Sequence, residues 1–407
     1  MFRFLMHAGT MVRLLTAGFV AFGSIASLTP IAHAQSPTWR AGVAKADITP
    51  ETPIRLSGYA SRTQPFASVA DRLNVRALVL EPTTGSTTKS LATPSSASRS
   101  SSPDPTAPQP LVAPQPLVIV SIDAIGISSV LTEQILAEVL PKLNIPRSRI
   151  VFCTSHSHTA PHLDATIPNL FGIPLEGADR DEMVRYTDRL RREIVSVILK
   201  ASDNRRTASV EYGLGRADFA INRRQLKDKQ WTGIGIVENG PVDRSVRVIR
   251  VADEAGEPIA VAYQYACHCT SISPDDNRIS GDWAGISAAQ LESEMPGCVA
   301  LPIIGCGADA NPNPRGTMEL AQQHGKEMAT AVKEVIGNPL KPLPHPAQAA
   351  FALVALASER PNKKKLEEMR QSSSAHERNF GNYWLDLLTR KDRIPETYPA
   401  PIHLWAF

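Results

Sequence analysis

Seven short strand-like runs alternate along this chain with longer stretches of helical periodicity, and that alternation leaves few architectures open. The runs cover residues 75–80, 117–122, 150–154, 209–212, 246–251, 259–266 and 299–304. Each has strand length and is bounded by polar or turn-forming residues. Helical spacing of apolar residues appears in 130–140, in 183–201 and in 320–336, the last stopped by Asn338-Pro339. Strands interleaved with helices predict an α/β fold of mixed β-sheets flanked by helices, in a single large domain over residues 39–407. No internal repeat interrupts the pattern.

Two segments are expected to stand outside that domain's core. In residues 1–34, Arg3 and Arg13 precede an apolar run from Leu14 to Leu28, and Ala32-His33-Ala34 follows with small residues at a cleavage spacing. This is the pattern of a secretory signal peptide, and the run is short of the roughly 20 apolar residues that span a bilayer. A secreted or periplasmic protein, with no transmembrane segment after signal cleavage, is the expectation. Residues 83–116 are dominated by Ser, Thr, Pro and Ala. Such a composition cannot offset its own ordering entropy, so a disordered insertion at the tip of a strand pair is expected there.

Charge and cysteine content remove several function classes. Forty-three basic residues against 40 acidic ones leave near balance, with no basic arm interleaved with aromatics, so nucleic acid is not an expected partner. Five cysteines (153, 267, 269, 298, 306) make neither a disulfide scaffold nor a CxxC pair of pairs. In an oxidising compartment Cys298 and Cys306 are the nearest candidates for a bridge. No amphipathic stretch marks a membrane-docking face.

Histidine placement points to chemistry. Cys153-Thr-Ser-His156-Ser-His158-Thr-Ala-Pro-His162 follows one strand, and Tyr265-Ala-Cys-His268-Cys follows another. Residues two apart in extended chain face the same side, so His156 and His158 can converge on one ion or substrate. The carboxyl ends of strands are where α/β sites assemble, and imidazole is the commonest metal ligand. Any single histidine here has an ordinary structural use; an HxH plus a second strand-end histidine favours a metal site. No GxSxG elbow supports a serine nucleophile. Asp123 and Asp282 are strand-end and helix-start acids, and for Asp282 a helix-capping use competes with a site use. The glycine-rich turn Gly305-Cys-Gly307-Ala-Asp309-Ala-Asn311 has two readings, a tight structural turn or a cradle of N–H groups for an oxyanion.

These segments together resemble the neutral/alkaline non-lysosomal ceramidase family. The resemblance runs through Ala41-Gly-Val-Ala-Lys-Ala-Asp47-Ile-Thr-Pro50, Val120-Ser-Ile-Asp123, Thr154-Ser-His156-Ser-His158-Thr-Ala-Pro161, Cys267-His268-Cys-Thr270, Ser280-Gly-Asp282 and Asp309-Ala-Asn311-Pro-Asn313, in family order. It covers residues 39–407 and implies the family's N-terminal catalytic domain, a zinc hydrolase that cleaves the amide of ceramide. It further implies His156 and His268 as zinc ligands, His158 as a catalytic proton carrier or oxyanion donor, and Asn222 and Arg223 beside the substrate, with Asp309 near them. Asn311 stands where the family carries a serine. An amide can donate to an oxyanion but cannot act as a nucleophile. The resemblance also implies that a Glu and a Tyr completing the zinc shell, and a small C-terminal β-domain, fall beyond Phe407. By its residues Pro401–Phe407 reads as the start of a buried strand, with a terminal edge strand as the alternative.

The expected partner is a lipid or another small amide substrate, and zinc is the expected cofactor. Two alternatives stand beside this: a non-catalytic metal- or lipid-binding remnant, and a metal hydrolase of a different ester or amide.

Overall fold

A computed structural model describes residues 39–83, 115–166, 175–345, 348–358, 362–391 and 396–407. The expected signal peptide and nearly all of the expected insertion lie outside the described residues. In chain order, the first half contains β1 (Trp39–Asp47), β2 (Ser68–Val69), β3 (Asn74–Pro82), β4 (Leu117–Ile122), α1 (Ser129–Leu143), β5 (Ile150–Thr154), α2 (Gly177–Asp203) and β6 (Arg206–Arg216). Next come β7 (Ala220–Lys227), β8 (Gln230–Val237), β9 (Ser245–Ala252), β10 (Pro258–Tyr265), β11 (Arg278–Ile279), α3 (Asp282–Glu294), β12 (Val299–Ile304), β13 (Ala310–Pro312) and α4 (Met318–Ile336). The remainder is β14 (Lys341–Pro342), β15 (Gln348–Ala357), α5 (Lys363–Arg370), α6 (Ala375–Lys391) and β16 (Thr397–Ala406).

The main sheet runs β12-β10-β9-β6-β1-β3-β4-β5, with β14 added beside β6. It is mixed: β4 pairs β5 and β10 pairs β12 in parallel, and the other pairings are antiparallel. β3 and β4 form the expected pair, with Leu80 opposite Leu117 at the end from which residues 83–116 depart.

Strand composition follows from burial on both faces. On β3, Val75, Ala77 and Val79 face one core, shared with Leu131 and Ile135 of α1 and Leu190, Ile194 and Ile198 of α2. The alternate residues Leu78 and Leu80 face a second core with Leu117, Ile119, Val210, Val251, Ala260, Ala262 and Leu301. A third core sets Val261, Tyr263 and Tyr265 of β10 against Trp283, Ala288 and Leu291 of α3 and Met328 and Val332 of α4. The sheet therefore folds over on itself, with a helix pair outside each half. A hydroxyl ties the two halves, since Ser121 Oγ of β4 donates to the Pro302 carbonyl of β12 at 2.7 Å.

Helix starts follow local chemistry. Ser128 and Thr317 accept from the N–H groups of Leu131 and Leu320 and cap α1 and α4. Asn144, at φ 52°, ends α1 in the left-handed region.

Two expectations change. The C-terminal segment is a strand from Thr397 onward, paired with β15 along its whole length. It is largely exposed, with Tyr398, Ile402 and Leu404 all more than half open, rather than buried. Cys298 and Cys306 form no bridge, and all five cysteines are free. The extended strand β12 lies between them, which holds their Cα atoms far beyond the ~7 Å a disulfide tolerates. Among the described residues no helix is long and apolar enough to cross a membrane.

Candidate metal centre

The loops leaving β5 and β10 continue toward each other past the strand ends. Ser157 and Cys269 form an isolated parallel bridge, and the His158 N–H donates to the Cys269 carbonyl at 3.2 Å. The His268 N–H donates to the carbonyl of Ala310 in β13. This backbone zipper brings His156, His158 and His268 together, with one ring nitrogen from each within 4.8 Å of the others. His156 sits at φ 56°, a left-handed backbone that non-glycine residues rarely adopt.

Hydrogen bonding fixes the tautomers of two of the rings. His156 Nδ1 faces the Ile125 carbonyl at 2.6 Å, and His268 Nδ1 faces the Gly307 carbonyl at 2.6 Å. A carbonyl only accepts, so both Nδ1 atoms carry the proton and both Nε2 atoms keep a lone pair of the kind that ligates metal. His158 differs: both of its ring nitrogens are buried, and the Gly58 backbone is the hydrogen-bonding group beside them. Tyr59 lies edge-on to its ring at 5.1 Å, and Gly58 presses on its other side. A Cβ at Gly58 would stand 2.6 Å from the His158 Cα, and Gly58 itself holds a φ of +93°.

Burial shapes the charge state. It lowers His156, and it holds His268 at about 4 and His158 at about 2, with neighbouring histidine and Arg223 charge acting in the same direction. All three imidazoles are therefore neutral at pH 7, the form that binds metal.

Arg223, on β7, closes one side. Its Nη2 lies 3.0 Å from His268 Nε2, its Nη1 donates to Asn311 Oδ1 at 3.0 Å, and its Nε donates to the Ala308 carbonyl. Thr270 Oγ1 also donates to Asn311 Oδ1. With both donors on its oxygen, the Asn311 amide is oriented with Nδ2 as its donating end. Asp309 contributes its carbonyl to the Arg223 N–H at 2.8 Å. The Asn222 side chain turns to its own ribbon, donating to the Pro241 carbonyl and accepting from the Arg224 N–H.

The two acids act as braces. Asp282, at φ 54°, accepts from the N–H groups of Ser271 and Trp283, and Trp283 Nε1 donates to the His268 carbonyl at 2.9 Å. Gly281 is the N-cap residue of α3, so the Asp282 carboxylate serves the His268 loop. Asp123 is fully buried and paired with Arg76 at 3.0 Å, and Arg76 also reaches Glu292 of α3.

The glycine-rich turn serves the site through a carbonyl. The N–H groups of Gly305 and Gly307 are taken by the carbonyls of Tyr265 and Gly305, so these two do not form an oxyanion cradle. The turn runs so close to the His268 strand end that a Cβ at Gly307 would lie 2.6 Å from the Cys267 nitrogen. A cavity of about 390 Å³ opens onto His156 and His268, walled by Phe152, Cys153 and Thr154 on one side and Ile304 and Gly305 on the other. It occupies the gap where the two ends of the main sheet meet.

Three site-shaping residues carried no motif signal. Tyr59, Arg62 and Arg315 interlock: Arg315 donates to the Tyr59 hydroxyl, and Arg62 lies over the Tyr59 ring and donates to the Ser57 and His158 carbonyls. Only the Gly58-Tyr59 step, a glycine before an aromatic, hinted at a close approach.

Fold and site together define a mixed α/β protein with a three-histidine centre at the sheet's carboxyl ends. No family model matches the chain. It is 24% identical to neutral ceramidase A of Dictyostelium discoideum over 200 residues, 45% of this chain and 26% of that protein. It is 25% identical to neutral ceramidase B of the same organism over 185 residues, 42% of this chain and 24% of that protein. Among solved structures, the neutral ceramidase from Pseudomonas aeruginosa aligns with a TM-score of 0.63 at 16% identity, covering 91% of this chain and 60% of that one. A ceramidase described as complexed with C2 aligns with a TM-score of 0.58 at 18% identity, covering 78% and 47%. The chain is a relative of the neutral ceramidases, and its match spans about a quarter of the curated relatives' length.

Proposed function

We propose that the chain carries the catalytic centre of a zinc-dependent hydrolase of the neutral ceramidase type, cleaving the amide of a ceramide-like lipid. One observation carries the reading. Two imidazoles are locked by backbone carbonyls so that Nε2 carries the lone pair, and a third buried imidazole brings a ring nitrogen within 4.8 Å of theirs. Three neutral imidazoles gathered at one point form a donor set that suits zinc.

His156 and His268 would hold the ion through Nε2, and His158 stands beside them. Bound zinc supplies polarisation of the amide carbonyl and a water acidic enough to attack it. In the overall reaction water adds to the carbonyl, the C–N bond breaks, and a carboxylate and a protonated amine leave. The residues of the chain orient and stabilise. A neutral His158 offers an N–H to the developing oxyanion; its low pKa suits it to donating a hydrogen bond better than to storing a proton. Asn311 offers a second donor, held in place by Arg223 and Thr270. The cavity between the sheet ends is the place for substrate, and Arg223 is tied to its lining through Ala308 and His268.

The same reading makes residues 1–34 an export signal, supported by Arg3, Arg13 and the run that follows. A second reading, a remnant without turnover, is favoured by the Arg223 guanidinium lying on the lone pair that His268 needs for zinc. A short-chain fluorescent ceramide, assayed with zinc beside simple esters, separates the readings. Amide cleavage that is lost in His156→Ala supports the proposal. Cleavage of esters alone moves the substrate class, and no cleavage of either leaves the remnant.

A further inference from the structure

β7 and β8 leave the wall of the site as a two-stranded ribbon. At its base Arg223 touches His268, and at its tip Asp228 and Lys229 both take positive φ (53° and 64°), the geometry of a two-residue hairpin turn. From Arg223 to that turn is five residues of extended chain, roughly 17 Å of reach. The ribbon is apolar where it should be polar. Leu226, paired across the strands with Trp231, is 63% exposed, Trp231 is 59%, and Ile234 and Ile236 on β8 are 55% and 59%. An exposed cluster of this kind on a folded domain marks a surface that meets something.

The charges beside the cluster name the partner. Arg224, Lys227 and Lys229 surround a single acid, Asp228, on the same hairpin. Tryptophan with leucine and isoleucine, ringed by lysine and arginine, suits the boundary between headgroups and acyl chains of an anionic membrane. A protein groove would be expected to meet such a tip with acids and a pocket, whereas a bilayer accepts a short apolar tip of any outline. We propose that the β7–β8 ribbon docks the protein on an anionic lipid surface and so sets the cavity above its substrate. Its use in catalysis rests on the lipid-amide reading, but the docking chemistry does not.

The test is co-sedimentation of the full chain with vesicles of phosphatidylcholine alone and of phosphatidylcholine mixed with equal phosphatidylserine. Wild type is expected to pellet with the mixed vesicles and weakly with the neutral ones. The double variant Leu226→Ser/Trp231→Ala, with an unchanged thermal midpoint, is expected to lose about tenfold or more in partitioning. If that variant does not fold, Lys227→Glu/Lys229→Glu, which alters only exposed surface, decides in its place. Wild type left in the supernatant, or a folded Leu226/Trp231 variant that binds like wild type, overturns the proposal. A dimer in solution that Trp231→Ala breaks overturns it too, because the ribbon then meets a second copy. Activity separates the two readings. Turnover of a soluble substrate that the ribbon variant retains, with turnover on vesicles reduced, supports both. Vesicle binding without hydrolysis of any substrate sinks the hydrolase reading and leaves the docking intact.

Discussion

The guanidinium of Arg223 lies 3.0 Å from Nε2 of His268, on the atom a metal would use. The contact ties β7 to the loop after β10, so ligand and substrate wall are adjusted together. It also sets a competition: a lone pair that accepts from Arg223 is not available to zinc. Arg223→Met is therefore expected to take up zinc about tenfold more tightly, the worth of one charge-assisted hydrogen bond. Its turnover is expected to fall, because Asn311 loses one of its two orienting donors. Titration against a chromophoric chelator reads the affinity, and unchanged or weaker zinc binding would remove Arg223 from this role.

Protonation gives a second expectation, with a definite sign. Folding lowers His268 to about 4 and His158 to about 2, through burial first and neighbouring charge second. In the unfolded chain both titrate near 6.5. Their contribution to stability is present above pH 6.5 and is lost as pH falls from there, down to about 4 for His268 and about 2 for His158, at about 1.4 kcal/mol per pH unit for each histidine. Urea unfolding of the metal-free chain at pH 7.5 and pH 5 measures this. His158→Leu is expected to show a smaller difference between the two pH values, and an equal or larger one would contradict the assignment.

A third expectation concerns the buried ion network. Arg76 has no exposure, and it is held by Asp123 and Glu292, each at 3.0 Å. Lys45 joins the network through Glu292. Removing one member of such a set leaves an unpaired buried charge, so Arg76→Met is expected to cost about 3–5 kcal/mol in chemical denaturation. A loss below about 1 kcal/mol would show that the cluster is hydrated or relaxes.

Trp283 offers a fourth test, one that spares the histidines. Its Nε1–H holds the His268 carbonyl at 2.9 Å, and its ring fills the core under α3 and α4. Trp283→Phe keeps most of the packing and removes the donor. Zinc affinity is expected to fall about 10–100-fold, as when other supports of ligating residues are lost. A fall in thermal stability with unchanged affinity would assign Trp283 to packing alone.

How much of this was legible in the sequence depends on where the information resides. Runs such as 75–80 and 117–122 were plain because β3 and β4 are buried on both faces, so that Arg76 and Ser121 are the only polar residues within them. The β7–β8 ribbon was not visible. Leu226, Trp231, Ile234 and Ile236 are exposed, separated by glycines and charges, and bulges break their alternation. The C-terminal strand misled for a related reason, since Trp405 and Phe407 look like core although the strand lies largely open. At the site, His156, His158 and His268 could be picked out because strand ends are local features. Their meeting depends on the Ser157–Cys269 bridge, which joins residues far apart in the chain. Tyr59 and Arg62 lie on the loop between β1 and β2 and Arg315 on the loop before α4, and they gain their roles only through contacts with one another.

Metal content tests the central claim most directly. Purified chain, loaded with zinc and passed through a desalting column, is expected to retain about one zinc per chain, as a single catalytic-type site on His156 and His268 would. His156→Ala and His268→Ala, each shown to be folded, are expected to retain almost none. Wild type that holds no more zinc than these two variants would contradict the account at its base.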